Sequence, residues 1–138
     1  MRRTHLLCIA LLVISASAAM LFAQTPRPIA PGNTVLIATY TCAPDQFARA
    51  DAAIKESVAP VLDKHVASGK LITWGYLATT LGGPANRHIY IWARDPVTLI
   101  QARQVYLAEI LATPQYAEYS KLCGSATVSL SNLVAMAK

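Results

Sequence analysis

The 138-residue sequence has little charge, and it contains none of the common catalytic or nucleotide-binding motifs. Only 14% of its residues are Asp, Glu, Lys or Arg, and the basic residues from Arg27 to Lys138 are scattered singly along the chain. A nucleic-acid-binding protein needs a clustered basic surface, so we set nucleic-acid partners aside. G-x-G-x-x-G, the P-loop and G-x-S-x-G are absent, which removes support for dinucleotide binding, phosphate-loop chemistry and the nucleophile-turn hydrolases.

Cysteines are also few: Cys8, Cys42 and Cys123. None lies in a CxxC or CxxCH pattern, so thioredoxin-like redox chemistry, zinc fingers and covalent c-type haem have no support. Cys8 lies at the start of an apolar run rather than just after it, so it is not a lipoprotein cysteine. No metal-ligand cluster is visible in the sequence, and the sequence requires no cofactor and identifies none.

The N-terminus has the layout of a secretory signal peptide. Arg2 and Arg3 precede an apolar run from Leu6 to Phe22, and small residues follow. We expect residues 1–23 to be removed, with cuts after Ala18 or Ala19 as alternatives and an uncleaved membrane anchor as a further one. The expected location is secreted or periplasmic, without membrane attachment after cleavage, and the mature net charge is 10 − 7 = +3.

The mature chain of about 115 residues suffices for one compact domain and not for two. Residues 24–33 contain three prolines and predict an extended linker. The domain is therefore expected over residues 34–138.

Hydrophobic periodicity predicts a β-α-β-β-α-β order. "TVLIATYT" favours a strand, and "APDQFARADAAIKESVAPVLDKHVASGK" favours a helix kinked at Pro60 and ended by Ser68-Gly69. A hairpin is predicted for "KLITWGYLATT" and "RHIYIWA". A second helix is predicted for "RDPVTLIQARQVYLAEILA", and it resumes as a short helix in "PQYAEYSKLCG". The last strand is predicted for "SATVSLSNLV". The order predicts an α+β ferredoxin-like sandwich, with a four-stranded antiparallel sheet and two helices on one face.

This order, together with the stretch "CAPDQFARADAAIKESVAPVLDKHVASGKLITWGY", resembles the dimeric α+β barrel superfamily. The resemblance lies near the antibiotic-biosynthesis monooxygenase, EthD, NIPSNAP and stress-responsive barrel families and covers roughly residues 34 to 135. It implies a homodimer whose sheets pair face to face into a barrel. It also implies a cofactor-independent oxygenation of an aromatic substrate held near a histidine or tyrosine, although no catalytic motif of these families is matched residue by residue.

The implied topology makes a demand on the cysteines. The last strand runs antiparallel beside the first, so Cys42 at the end of the first strand and Cys123 at the end of the second helix meet at one edge of the sheet. A Cys42–Cys123 disulfide would close a loop of 81 residues (123 − 42) and stabilise the fold by on the order of 4 kcal/mol. The alternative is two free thiols in a reducing compartment.

Two residues inside apolar helix faces are candidates for a site. On a helical wheel, His65 lies at the centre of the apolar stripe of the first helix, unless the bend at Pro60 rotates it away. It is either a packed histidine or a catalytic base, substrate contact or haem ligand. Arg103 lies in the apolar arc of the second helix, where it either extends along the rim or pairs with an acid such as Asp51, or else anchors an anion.

The hairpin carries the densest set of aromatic residues. If its loop centres near Gly83, the cross-strand pairs are Trp74 with Trp92, Tyr76 with Tyr90, and Ala78 with His88. Such a wall, which Tyr40 of the first strand could join, suits an aromatic or haem-like ligand. The alternatives are an ordinary core or a dimer interface, and a one-residue register shift would separate the two aromatic sets.

These features together predict a secreted or periplasmic small-ligand-binding barrel protein. The expected partners are a small apolar or aromatic molecule and a second copy of the chain, and the narrower hypothesis is a monooxygenase-like enzyme. One alternative is a non-catalytic dimerisation or interaction module. A third hypothesis is haem binding or degradation through His65.

Overall fold

The computed structural model describes residues 28–124 and 126–136. The predicted signal peptide lies outside the described residues. Across the described ranges, no helix has both the length and the apolar character needed to cross a membrane. The described part of the predicted linker makes a turn in which the Gly32 amide, at a φ of 90°, donates a hydrogen bond to the Leu133 carbonyl at 2.8 Å. That bond fixes the start of the domain beside its last strand.

Four strands and three α-helices make up the described chain. In chain order they are β1 (Thr34–Tyr40), α1 (Phe47–Ala67), β2 (Thr73–Ala78), β3 (Arg87–Ala93), α2 (Pro96–Leu111), α3 (Pro114–Leu122) and β4 (Thr127–Asn132). A single 3₁₀ turn at Pro44–Gln46 precedes α1. The predicted order of elements is confirmed, with the second helix divided into α2 and α3.

The sheet is open and antiparallel, with the strand order β2-β3-β1-β4. Along β1, Leu36, Ala38 and Tyr40 belong to the buried core together with residues of the helices, whereas Ile37 and Thr39 are half-buried on the other face. The alternation follows from the two-residue period of a strand. The helices therefore cover one face, as the ferredoxin-like prediction requires, and no described element covers the other.

Local sequence explains where the helices begin. Asp95 accepts a hydrogen bond from the Thr98 amide at 2.8 Å, and Thr113 caps α3 in the same way, each followed by a proline at the first helical position. Pro60 lies inside α1 without ending it, and Val58 and Leu62 on either side of it are buried in the core. The division between α2 and α3 is therefore set by Thr113, which caps α3, and by Pro114, its first residue.

The predicted disulfide between Cys42 and Cys123 is present, and both residues are buried. The Asn86 side chain bonds to both backbone groups of Cys42, accepting from its amide at 3.0 Å and donating to its carbonyl at 2.9 Å. The Gly124 amide donates to the Thr41 carbonyl at 2.8 Å. The bridge thus ties together the end of β1, the start of β3 and the segment that leads into β4.

The predicted hairpin register is wrong by one residue. Trp74 lies opposite Ile91, and Tyr76 lies opposite Ile89, so the pairs Trp74–Trp92, Tyr76–Tyr90 and Ala78–His88 do not form. The loop centres between Gly82 and Gly83, both at positive φ, rather than on Gly83. Because a one-residue shift reverses every side chain, the two aromatic sets lie on opposite faces of the sheet.

Candidate functional site

A cavity of about 130 Å³ lies between the helix-facing side of the sheet and the helices. Its walls are mostly aliphatic and come from β1, β3 and α2: Leu36, Ala38, Ile89, Ile91, Leu107 and Ile110. Ala38 is the small residue between Leu36 and Tyr40 on the core-facing side of β1, so it takes up little of this space. An engineered apolar cavity of about 150 Å³ holds benzene, so the space here suits a molecule of about that size.

The cavity opens beside β4. Ala126 and Val128 line it, and both are exposed, Val128 to 47% of its surface. Val128 faces the helix side of the sheet, since it pairs with Ala38 of β1, yet it is not buried. The edge strand therefore forms a mouth through which a ligand could pass.

Four polar side chains line the otherwise apolar space: Tyr40, Tyr106, Tyr116 and Arg103. The Tyr40 and Tyr116 hydroxyls lie 3.4 Å apart. The Tyr106 hydroxyl is buried and has no hydrogen-bond partner among the described residues. The cavity thus combines apolar walls with one cation and three phenols.

Two of these phenols have raised pKa values. Burial raises the pKa of Tyr40, with the hydrogen bond to Tyr116 acting in the same direction. Burial also raises the pKa of Tyr106 to about 12, against the opposing charge of Arg103. Both groups are protonated at neutral pH, so they can hydrogen-bond a ligand oxygen but cannot serve as general bases.

His65 lies outside this cavity. It is 2% exposed on the last turn of α1, its ring stands edge-on to Tyr106 at 6.0 Å between centroids, and its Nε2 is 3.6 Å from a Glu109 oxygen. Neither ring nitrogen has a hydrogen-bond partner among the described residues. The wheel correctly placed His65 on the buried side, but at this end of α1 the neighbour is α2.

Trp74 and Tyr76 face the helices and hold β2 to α1. The indole nitrogen of Trp74 donates to Asp63 at 2.7 Å, and the Tyr76 hydroxyl donates to Asp51 at 2.7 Å. Burial and the bond to Asp51 raise the pKa of Tyr76. These two aromatic residues join structural elements and do not line the cavity.

Asp51 is paired with Arg87, an arginine that the sequence analysis did not single out. Arg87 donates to both carboxylate oxygens, at 2.7 and 3.2 Å, and its guanidinium lies 4.0 Å from the centroid of the Phe47 ring. Burial acts to raise the pKa of Asp51, but the hydrogen bonds from Arg87 and Tyr76 outweigh it and lower that pKa. The alternative that paired Asp51 with Arg103 is therefore wrong.

The other aromatic set lies on the open face of the sheet. His88, Tyr90 and Trp92 alternate with the buried residues of β3 and are half-buried. The Nε2 of His88 lies 2.7 Å from the Thr79 hydroxyl, and its ring is 6.2 Å from that of Tyr90. Of the six residues predicted to bind a ligand, Arg103 alone lines the cavity described above.

Sequence reasoning missed Tyr106 and Tyr116 as lining residues. Tyr106 comes three residues after Arg103 and falls in the same arc of the helical wheel, so the wheel could have indicated that the two side chains share a face. Tyr116 is three residues before Tyr119, so both lie on one face of α3, and their rings are 6.0 Å apart. Helix periodicity was sufficient to place them on the core side, but not to show that the core there is incompletely filled.

No protein-family model matches the chain, and no curated protein matches it either. Solved structures do. A dimeric ferredoxin-like protein from an uncultured marine organism matches at a TM-score of 0.61 and 7% identity, over 79% of this chain and 93% of that one. A NIPSNAP family protein from Agrobacterium tumefaciens matches at 0.56 and 12%, over 80% and 94%.

A second dimeric ferredoxin-like protein from an uncultured marine organism matches at a TM-score of 0.53 and 16% identity, over 79% of this chain and 99% of that one. At these identities the likeness establishes the fold alone. The chain is a ferredoxin-like α+β domain whose structural neighbours include NIPSNAP family proteins.

Proposed function

We propose that the protein binds a small apolar or aromatic molecule in the cavity between the sheet and the helices. The observation that carries the proposal is an apolar space of benzene-like size that opens beside β4 and bears polar groups on its lining. A core packed to ordinary density would leave no such space. The ligand's ring or alkyl body would replace the missing packing contacts.

Binding is better supported than oxygenation or haem chemistry. The predicted oxygenation places the substrate near a histidine or tyrosine, and taking a proton from the substrate would further require that this residue be able to accept one. Within the described residues, His65 and His88 lie outside the cavity, and two of the three tyrosines that line it, Tyr40 and Tyr106, have raised pKa values and are protonated at neutral pH. Haem is several times larger than benzene and does not fit a space of about 130 Å³.

We also propose that the protein is a homodimer that pairs the open faces of its sheets. His88, Tyr90 and Trp92 form an aromatic row there, beside half-buried Ile37 and exposed Leu77. An uncovered apolar sheet face is typical of an interface. Two solved structures of the same fold are described as dimeric, which supports the proposal.

Secretion or export to the periplasm is the third part of the proposal. It rests on the N-terminal sequence and is supported by the Cys42–Cys123 bridge, because disulfides persist in oxidising compartments. Mass spectrometry of the protein purified from its own host tests it. We expect the mass of a chain that starts at Gln24 and is lighter by two hydrogens because Cys42 and Cys123 form a disulfide.

The binding proposal is tested by titrating the mature protein with benzyl alcohol in a calorimeter or by NMR. Ala38→Leu should fill the cavity and abolish binding, while leaving the fold intact. Ala108→Leu adds the same atoms to an exposed position on α2 and serves as the control. Saturable binding that Ala38→Leu leaves unchanged would place the ligand elsewhere.

A further inference from the structure

Arg103 has no acidic partner among the described residues. All seven acids of the chain lie in the described part, and none forms an ion pair with Arg103. Six of them are engaged elsewhere: Asp45 by Gln46, Asp51 by Arg87, Asp63 by Trp74, Asp95 by Thr98, Glu109 by Lys64 and Glu118 by Arg49. Arg103, a half-buried residue beside apolar walls, is thus left without a counter-charge among the described residues.

Tyr106 supplies a second group to the same site. It lies three residues after Arg103 on α2, so the two side chains are neighbours on the helix surface. Its hydroxyl is buried without a described partner, which is costly for a polar group unless something hydrogen-bonds to it. Both side chains also line the cavity described above, so they border the same space.

We propose that the ligand is a small organic anion, a carboxylate with a body of about the size of benzene, held by Arg103 and the Tyr106 hydroxyl. This inference rests on the proposed function and names the class of ligand. A carboxylate accepts two hydrogen bonds from a guanidinium and one more from a phenol, while its ring contacts the aliphatic walls. A neutral ligand would leave Arg103 without a counter-charge.

The test compares two probes of nearly equal size, benzoate and benzyl alcohol, by calorimetry on the mature protein at pH 7, where benzoate is ionised. We expect benzoate to bind the wild type at least about tenfold more tightly. Arg103→Gln should weaken benzoate binding about tenfold to a hundredfold and leave benzyl alcohol binding unchanged. Arg94→Gln removes the same charge from an exposed position and should change neither.

Tyr106→Phe gives an independent readout. Because the hydroxyl has no described partner, its removal should leave the melting temperature unchanged or raise it, while benzoate binding weakens about fivefold. A residue that acted only in packing would not separate these two effects. Unchanged benzoate affinity in Tyr106→Phe would remove the phenol from the anion site.

The outcomes distinguish the two proposals. If both probes bind equally and Arg103→Gln changes neither, the ligand is not an anion, and the proposed function survives. If benzyl alcohol binds and benzoate does not, the ligand is likewise not an anion, and the proposed function survives. If neither probe binds at millimolar concentration, the binding proposal itself is overturned together with this inference.

Discussion

Removing the Cys42–Cys123 disulfide should destabilise the protein strongly. For a closed loop of 81 residues, the chain-entropy model gives about 4.5 kcal/mol at 25 °C. Unfolding a domain of this size releases an entropy of about 0.23 kcal/mol per kelvin, so Cys42→Ala/Cys123→Ala should melt about 20 °C lower than the wild type. Such a loss is a large share of a total stability of about 5–15 kcal/mol.

The loss should not be uniform along the chain. Among the described strands, β4 pairs only with β1, all of its residues are exposed, and it begins four residues after Cys123. Without the bridge, β4 should open locally before the rest of the sheet. Hydrogen exchange should therefore lose protection first in the amides of β4 that bond to β1.

Calorimetric melting and hydrogen-exchange mass spectrometry measure both effects, and a reductant is the matched control. Reductant should lower the melting temperature of the wild type towards that of the double variant and leave the variant unchanged. A decrease of less than about 5 °C together with unchanged exchange in β4 would refute the reasoning.

Three further substitutions test other contacts. Asp51→Asn should lower the free energy of unfolding, measured by urea denaturation at pH 7, by about 1–2 kcal/mol, whereas the control Asp45→Asn should not. Because the Asp51 carboxylate stabilises the fold only while it is charged, the difference between Asp51→Asn and the wild type should vanish as the pH falls through the lowered pKa of Asp51. Tyr90→Arg should convert the proposed dimer to a folded monomer in sedimentation experiments, whereas Leu81→Arg in the exposed loop should not. His65→Leu should preserve stability and benzyl alcohol affinity at pH 8, since its ring nitrogens have no described hydrogen-bond partner, and a loss of affinity would implicate His65 in the site.

Most of the fold could be predicted from local sequence, because local physics determines it. The caps at Asp95 and Thr113, each followed by a proline, mark the helix starts, and the β-branched run of β1 marks a buried strand. The cysteine pairing followed once the topology placed the end of β1 beside the segment before β4. These features depend on a few neighbouring residues and on a common topology.

The candidate site was harder to predict, since it depends on relationships between elements. The register of the hairpin is set by the two glycines of its loop, and a shift of one residue moved Trp74 and Tyr76 to the face opposite His88. The position of His65 depended on which element borders the end of α1. A cavity beneath β4 reflects incomplete filling of the core, which a helical wheel does not reveal.

The most direct test of the central claim is a crystal structure of the mature protein grown with benzyl alcohol, the neutral probe. We expect electron density for the ring in the cavity, in contact with Ala38, Ile91 and Ile110. Density confined to the open face beside Tyr90, or an unaltered cavity at saturating probe, would contradict the assignment of the cavity as the ligand site.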